Sequence, residues 1–289
     1  MILVVGLSPC APPDEDGDGG GGGAWRSWPA PELALAAAAR SLAPLLGSHQ
    51  LVVMNGACTI DEELRFARAL RNESADRSVV TLVAQVEVDG LDPSFEAPAA
   101  LIGPLSTAAE AHRLAAENDW TFRPSGSGWR RAVPTPEPVT HDDADAMRAL
   151  LAAGSSVVCA GPGTPVTRDE AGRVHRVDAF VDVERSASLL ATQLDAHALM
   201  LLSDDEPVRL LDDSGSVPVR RLSIADARAA ELRPADRLRV EAACRFTEVT
   251  GRNAGIGRIA EAVDLLAGQA GLLISAGDVE PRFWGPAPR

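Results

Sequence analysis

The 289-residue chain contains no lysine and no tyrosine, and all 27 of its basic residues are arginine. Without an ammonium side chain it cannot form a Schiff base, use a lysine as general base, or build a Walker-type phosphate loop. Aromatic residues make up only 4% of the chain. Its four cysteines, Cys10, Cys58, Cys159 and Cys244, are far apart and form no CxxC pair, so they read as buried reduced thiols of a cytosolic protein. No apolar run approaches the roughly 20 residues that cross a bilayer. The opening residues 1–5 lack the basic flank of a signal peptide and read as a first strand. A cytoplasmic protein without a membrane partner is therefore expected. The net charge of −14 argues against a nucleic-acid partner, because phosphate-backbone readers concentrate positive charge. A small anion remains accessible, since a few local arginines suffice to hold one.

Short aliphatic runs at residues 2–5, 51–54, 79–83, 156–159, 179–181, 198–202 and 271–275 predict buried parallel strands. Between them, residues 31–46, 60–72, 108–118, 142–153, 186–194, 235–247 and 255–268 carry helical patterns. In the last of these, Ile256, Ile259, Ala260, Val263, Leu266 and Ala267 recur at helical spacing. Thr59 with Glu62 and Thr107 with Glu110 have the spacing of capping boxes. Such alternation implies a parallel sheet covered by helices on both faces. Two stretches interrupt it: the acidic, glycine-rich run at residues 14–23, and the Pro- and Gly-rich excursion at residues 89–138.

Two apparent metal sites dissolve on inspection. Asp14, Asp16, Asp18 and Gly19 open like an EF-hand loop, but Trp25 stands where the bidentate glutamate belongs. His141-Asp142-Asp143-Ala144-Asp145 places its carboxylates where a helix begins, complementing the helix dipole. His49, His112, His175 and His197 lack metal-ligand spacing and no GxSxG elbow is present, so neither a metal site nor a hydrolase triad is expected. Anion-binding candidates are Gly6-Leu7-Ser8, Asn55-Gly56 and Ala160-Gly161-Pro162-Gly163, each following a strand. Residues 251–258 (GRNAGIGR) are expected to lead into a helix whose amino end faces an anion, with Arg252 and Arg258 nearby. Arg130 and Arg131 form either a phosphate clamp or a solvated surface pair.

Residues 85–89 (QVEVD), 92–95 (DPSF), Pro98, 102–104 (IGP) and 128–136 (GWRRAVPTP) resemble, in order and spacing, the QVEVD, DPxF, IGP and GWRRVVPSP series of carbamate kinases, within the amino acid kinase superfamily. Residues 159–166 (CAGPGTPV) resemble the family's CGGGGIPV loop. Residues 178–182 (DAFVD) followed by 188–191 (SLLA) resemble EAVIDKDxxxxLLA. Residues 203–206 (SDDE) resemble TDVD, and the stretch ending in Arg258 resembles GSMGPKV. The resemblance runs from residue 1 to about residue 275 in the family's order. It implies a three-layer αβα sandwich with a mainly parallel open sheet, one amino acid kinase-like domain in two halves. Residues 1–197 would bind the acceptor, residues 198–289 the nucleotide, and residues 89–138 would form a protruding lid. The implied chemistry is reversible phosphoryl transfer between ATP and carbamate or a related small carboxylate, with ATP/ADP and Mg2+ and an acyl-phosphate partner.

By the same resemblance, Arg258, Asp182 and Arg185 are the implied catalytic residues. Gly6, Ser8, Asn55, Gly56, Arg130, Arg131, Gly161 and Gly163 are the implied substrate-binding residues, and Ser203, Asp204, Gly251 and Arg258 the implied nucleotide-binding ones. Departures lie in the same places. The family's GGN is Gly6-Leu7-Ser8 and its HGNGPQVG is reduced to Asn55-Gly56. Its three lysines are Ala100, Val183 and Arg258, so only one position keeps a cation. The segment before Gln85 is shorter than in the family and lacks a helix of the family's dimer interface, which bears on any homodimer. Two functions follow as expectations: a divergent phosphotransferase using arginine where the family uses lysine, or a catalytically impaired nucleotide- or metabolite-binding or partner subunit on the same fold.

Overall fold

The computed structural model describes residues 1–8, 31–56, 59–74, 77–204, 206–212, 215–277 and 282–283. Residues 14–23, Cys10 and Cys58 lie outside them. The chain first lays down β1 (Ile2–Leu7), α1 (Pro31–Ser48), β2 (Gln50–Asn55), α2 (Ile60–Glu73) and β3 (Val79–Leu82). An excursion follows through β4 (Gln85–Val88), β5 (Ala100–Ser106), α3 (Ala108–Asn118), β6 (Thr121–Ser125), β7 (Gly128–Val133) and β8 (Pro138–His141). The chain returns by α4 (Ala144–Ala152) and β9 (Ser156–Cys159), passes β10 (Thr164–Arg168) and β11 (Val174–Arg176), and enters α5 (Val183–Gln193). Then come β12 (Ala198–Ser203), β13 (Arg209–Asp212), β14 (Gly215–Ser223), α6 (Ile224–Ala229), α7 (Pro234–Thr250), β15 (Ala254–Arg258), α8 (Ala262–Leu266), β16 (Leu272–Ser275) and β17 (Arg282–Phe283).

The main sheet has the order β13-β14-β16-β15-β12-β1-β2-β9-β3, with β17 paired to β14. Strands β3, β9, β2, β1, β12 and β15 are mutually parallel, so their carboxyl ends share one edge. Alternate side chains divide between two cores, as the two-residue period of a strand demands. Leu3, Val5, Leu51, Val53, Met200 and Leu202 join α1, α2 and α8 on one face. Val4, Val52, Met54, Leu199 and Leu201 join α4, α5 and α7 on the other. These are the three layers that the sequence predicts. Both capping boxes form: the Thr59 and Thr107 hydroxyls accept from the Glu62 and Glu110 amides, and each glutamate accepts from its threonine amide. The excursion carries a separate three-stranded sheet, β5-β7-β6, with α3 beside it.

Two expected elements differ. Residues 179–181 are not a strand but an extended lead-in to α5, where Val181 packs with Val86 and Val88 away from the main ladder. Residues 255–268 are not one helix, because residues 254–258 form β15, parallel to β12. The helical spacing of their apolar residues was overridden by packing. A Cβ at Gly255 would come within 3.0 Å of Leu265, so this stretch lies flat beneath α8 as a strand. Helical structure begins only after Arg258.

Helix α5 lies close against β1 at Gly6. A Cβ there would lie 3.0 Å from Leu201 Cδ2 and 3.1 Å from the Cβ of Ala187. Hydrogen in place of a methyl group lets α5 settle against the sheet, and this seating carries its amino terminus to the carboxyl edge. Gly6→Ala is expected to cost about 1–3 kcal/mol through overpacking. The check is a lower urea midpoint at unchanged slope. Stability equal to the parent would show that the interface yields freely.

Candidate active site

The carboxyl edge collects Ser8 after β1, Asn55-Gly56 at the end of β2, the 160–163 loop after β9, Ser203 at the end of β12 and Arg258 at the end of β15. The amino end of α5 enters the same edge. Register makes these positions neighbours: Leu7 pairs Asn55, Met54 pairs Cys159, Leu7 pairs Leu202 and Ser203 pairs Arg258. Gly6 itself is a packing residue under α5, as described above.

On the β1–β2 side the polar residues meet carboxylates. Ser8 Oγ donates to Glu184 Oε1 at 2.5 Å, and Asn55 Nδ2 donates to Glu63 Oε2 at 2.7 Å. Glu63 is fully buried. Neither partnership is visible in the sequence, because each needs a helix folded over a strand end. Asp182 is the N-cap residue of α5, yet its side chain makes no capping hydrogen bond. Burial, reinforced by Glu184 and Glu137 and opposed by Arg185, raises its pKa to about 6. Arg185 lies 3.8 Å from Asp182 Oδ2 and 3.2 Å from Glu137 Oε1, and Glu137 also receives Arg245 at 2.9 Å.

In the 161–163 turn Gly163 is packed against Val86 of β4, where a Cβ would lie 3.0 Å from the valine Cβ, while Gly161 faces outward. Gly161 and Gly163 adopt φ of +81° and +95°, where other residues are strained. Open space surrounds Gly161, and neither glycine amide has a hydrogen-bond partner among the described residues. The loop is pinned at both ends, by Ala160 N to Leu82 O at 2.8 Å and by Thr164 N to Ala84 O at 2.9 Å.

On the β12–β15 side, Arg239 donates to Ser203 Oγ at 2.5 Å and pairs with Asp236 at 2.8 Å. Asp236 is fully buried and Arg239 nearly so. Sequence reading passed over this pair, although its i,i+3 spacing on a helix was visible. Asp204 is exposed just beyond β12. Arg258 is exposed and has no side-chain partner among the described residues. Gly251 corrects an expectation. Its φ of +70° ends α7, its amide bonds Thr247 O, and it precedes β15, at the opposite edge of the sheet from Arg258. With β15 where a helix was expected, no helix begins directly after Gly251.

Arg130 and Arg131 are successive residues of β7, so their side chains leave opposite faces and do not form one fork. Arg131 lies 3.8 Å over the Trp120 ring and pairs with Asp178, in the lead-in to α5. This ties the excursion to the approach of the site. Of the other family-lysine positions, Ala100 and Val183 are buried, Val183 within the α5-side core. Among the described residues no three His, Cys, Asp or Glu side chains gather around a metal-sized space. No described helix is long and apolar enough to cross a membrane.

Among the described residues, the carboxyl edge of the parallel sheet thus presents loop amides without hydrogen-bond partners and, at the end of β15, an arginine without a side-chain partner. Comparison with known proteins identifies the family. The amino acid kinase family profile matches residues 22–244. A carbamate kinase of Haemophilus influenzae is 37% identical over 200 residues, which cover 68% of this chain and 64% of that protein. One from Rhizobium meliloti is 34% identical over 228 residues, 73% of this chain and 68% of that protein. The matched region thus spans less than two thirds of the first relative's length. A solved structure from Aeropyrum pernix K1 superposes with a TM-score of 0.82 at 27% identity, over 96% of this chain and 100% of that one. Carbamate kinase from Giardia lamblia bound to AMP-PNP superposes with a TM-score of 0.79 at 23% identity, over 96% and 98%. The chain belongs to the amino acid kinase family, and its relatives there are carbamate kinases.

The raised Asp182 pKa sets a sign for stability. The folded carboxyl holds its proton up to about pH 6, whereas an unfolded one releases it near its ordinary 3.8. The folded state therefore binds the extra proton between these values, and stability falls as pH rises through them. Asp182→Asn removes that penalty. The variant is expected to exceed the parent by about 1–3 kcal/mol above pH 7, with the difference vanishing below pH ~4. Urea titrations at the two pH values check this; a gain that is independent of pH would refute the assignment.

Proposed function

We propose that the protein is a carbamate kinase-type phosphotransferase, moving a phosphoryl group reversibly between ATP and carbamate or a related small carboxylate. The observation that carries this reading is that one edge of the sheet holds both the Gly161 and Gly163 amides, after β9, and Arg258, at the end of β15, none with a hydrogen-bond or ion-pair partner among the described residues. Phosphoryl transfer needs positioned positive charge and N–H donors around the equatorial oxygens more than it needs covalent chemistry. The Gly161 and Gly163 amides hold the acyl-phosphate side. Arg258 faces the transferred group from the nucleotide side, where Ser203, braced by Arg239, and Asp204 line the end of β12. Arg185 completes the charge when it leaves Glu137 for the substrate. Asp182, 3.8 Å from Arg185 Nε, orients Arg185.

Magnesium fits this site only as a companion of the nucleotide, because the described carboxylates do not converge as a cage. When bound, it neutralises phosphate charge. The two halves, residues 1–197 for the acceptor and 198–289 for the nucleotide, share one sheet through the β1–β12 pairing, so the reaction would cross a rigid seam. Residues 89–138 act as the lid.

A second reading, a nucleotide-binding subunit without turnover, draws on one observation: apolar Ala100 and Val183 are packed away where the family resemblance places lysines. One assay separates the two. Given carbamoyl phosphate and Mg-ADP, the parent should form ATP, and Arg258→Ala should lower kcat about 10²–10³-fold, the effect of losing one preorganised donor. Arg258→Lys should retain more activity than Arg258→Ala. No ATP together with a thermal shift from ADP would support the binding subunit, and neither response would overturn both readings.

A further inference from the structure

His141 and Ser186 are both inaccessible, at 2% and 0% exposure, and neither belongs to the motifs that carry the family resemblance. Ser186 lies one turn into α5, its amide bonded to Asp182 O at 3.0 Å. Its hydroxyl donates to Pro162 O, the carbonyl between the two glycines of the anion loop, at 2.5 Å. His141 Nε2 lies 3.0 Å from the same hydroxyl and 3.2 Å from Ser186 O.

The proton inventory fixes the direction of this chain. A serine hydroxyl has one hydrogen, and Ser186 spends it on Pro162 O. The imidazole must then be the donor, through Nε2–H, leaving Nδ1 as a bare acceptor. Nδ1 is indeed buried without a hydrogen-bond partner among the described residues. Burial keeps the ring neutral by lowering its pKa to about 4, against the pull of the Ser186 carbonyl and of Asp143 and Asp142. The ring is anchored from β8, where the His141 amide donates to Gln193 Oε1 at 2.9 Å, and Gln193 Nε2 donates to Thr140 Oγ1 at 2.7 Å. Polarisation runs one way: His141 Nε2–H to Ser186 O–H to Pro162 C=O.

Backbone pins hold the loop at Ala160 and Thr164, but between them Pro162 has no N–H to contribute. The carbonyl bond from Ser186 is therefore the only hydrogen bond at the apex among the described residues. It also ties that apex to the helix carrying Asp182 and Arg185. We propose that Ser186 and His141 are positioning residues: they lock the Gly161–Gly163 amides in register with the amino end of α5, so that both halves of the anion site present one fixed geometry to an acyl phosphate. This rests on the phosphoryl-transfer reading, but the lock itself is measurable without turnover.

Hydrogen exchange on the full chain provides that measurement. In Ser186→Ala, exchange at Ala160 and Thr164 should speed about tenfold or more, with α1 and α2 unchanged, because the apex carbonyl loses its donor. His141→Ala should loosen the same loop, whereas His141→Gln, whose amide N–H can replace Nε2–H, should restore protection. In the ATP-forming assay the KM for carbamoyl phosphate should rise about tenfold in Ser186→Ala, with the KM for ADP unchanged. Unchanged loop exchange in Ser186→Ala, or equal loosening in His141→Ala and His141→Gln, would overturn the lock. An inactive parent with the exchange pattern intact would instead overturn the phosphotransferase reading and leave the lock standing.

Discussion

The seating of α5 against β1 is the contact on which the rest of the site depends. Gly6 supplies the absence of a side chain, and Leu201 and Ala187 close over it. From that seat the first turn of α5 reaches the carboxyl edge, where Glu184 meets Ser8, Arg185 meets Glu137, and Ser186 meets Pro162. Shift the helix by a fraction of an ångström and all three partnerships loosen together, since close-packed interiors transmit displacement instead of absorbing it.

Charge is distributed with economy on a chain of net −14. Most arginines near the edge are committed: Arg239 to Asp236 and Ser203, Arg131 to Trp120 and Asp178, Arg245 to Glu137. Arg258 is exposed at a strand end without such a partner among the described residues. A committed guanidinium shapes the site; an uncommitted one can answer a ligand. The same contrast separates two glycines, because Gly6 is consumed by packing and Gly161 opens on empty space.

Much of the fold was legible from pattern. Aliphatic runs gave β1, β2, β3, β9, β12 and β16, because buried parallel strands are apolar on both faces. The spacing of Thr59 with Glu62 and Thr107 with Glu110 marked two helix starts that form as expected. Residues 254–258 misled, because their apolar spacing suits a helix while Gly255 and Gly257 suit a strand pressed beneath Leu265. That choice is made by a neighbour distant in sequence, and it also moved Gly251 from a supposed ligand loop to the end of α7.

By itself, the sequence determined the alternation of strand and helix, the exclusion of lysine chemistry, and the family to which the ordered motifs point. These follow from local periodicity, composition and residue order. Only the tertiary structure decided which side chains share the crevice. Glu63 reaches Asn55 and Glu184 reaches Ser8 only when helices lie across strand ends. The neutrality of His141 and the raised pKa of Asp182 likewise belong to burial, which no linear spacing encodes.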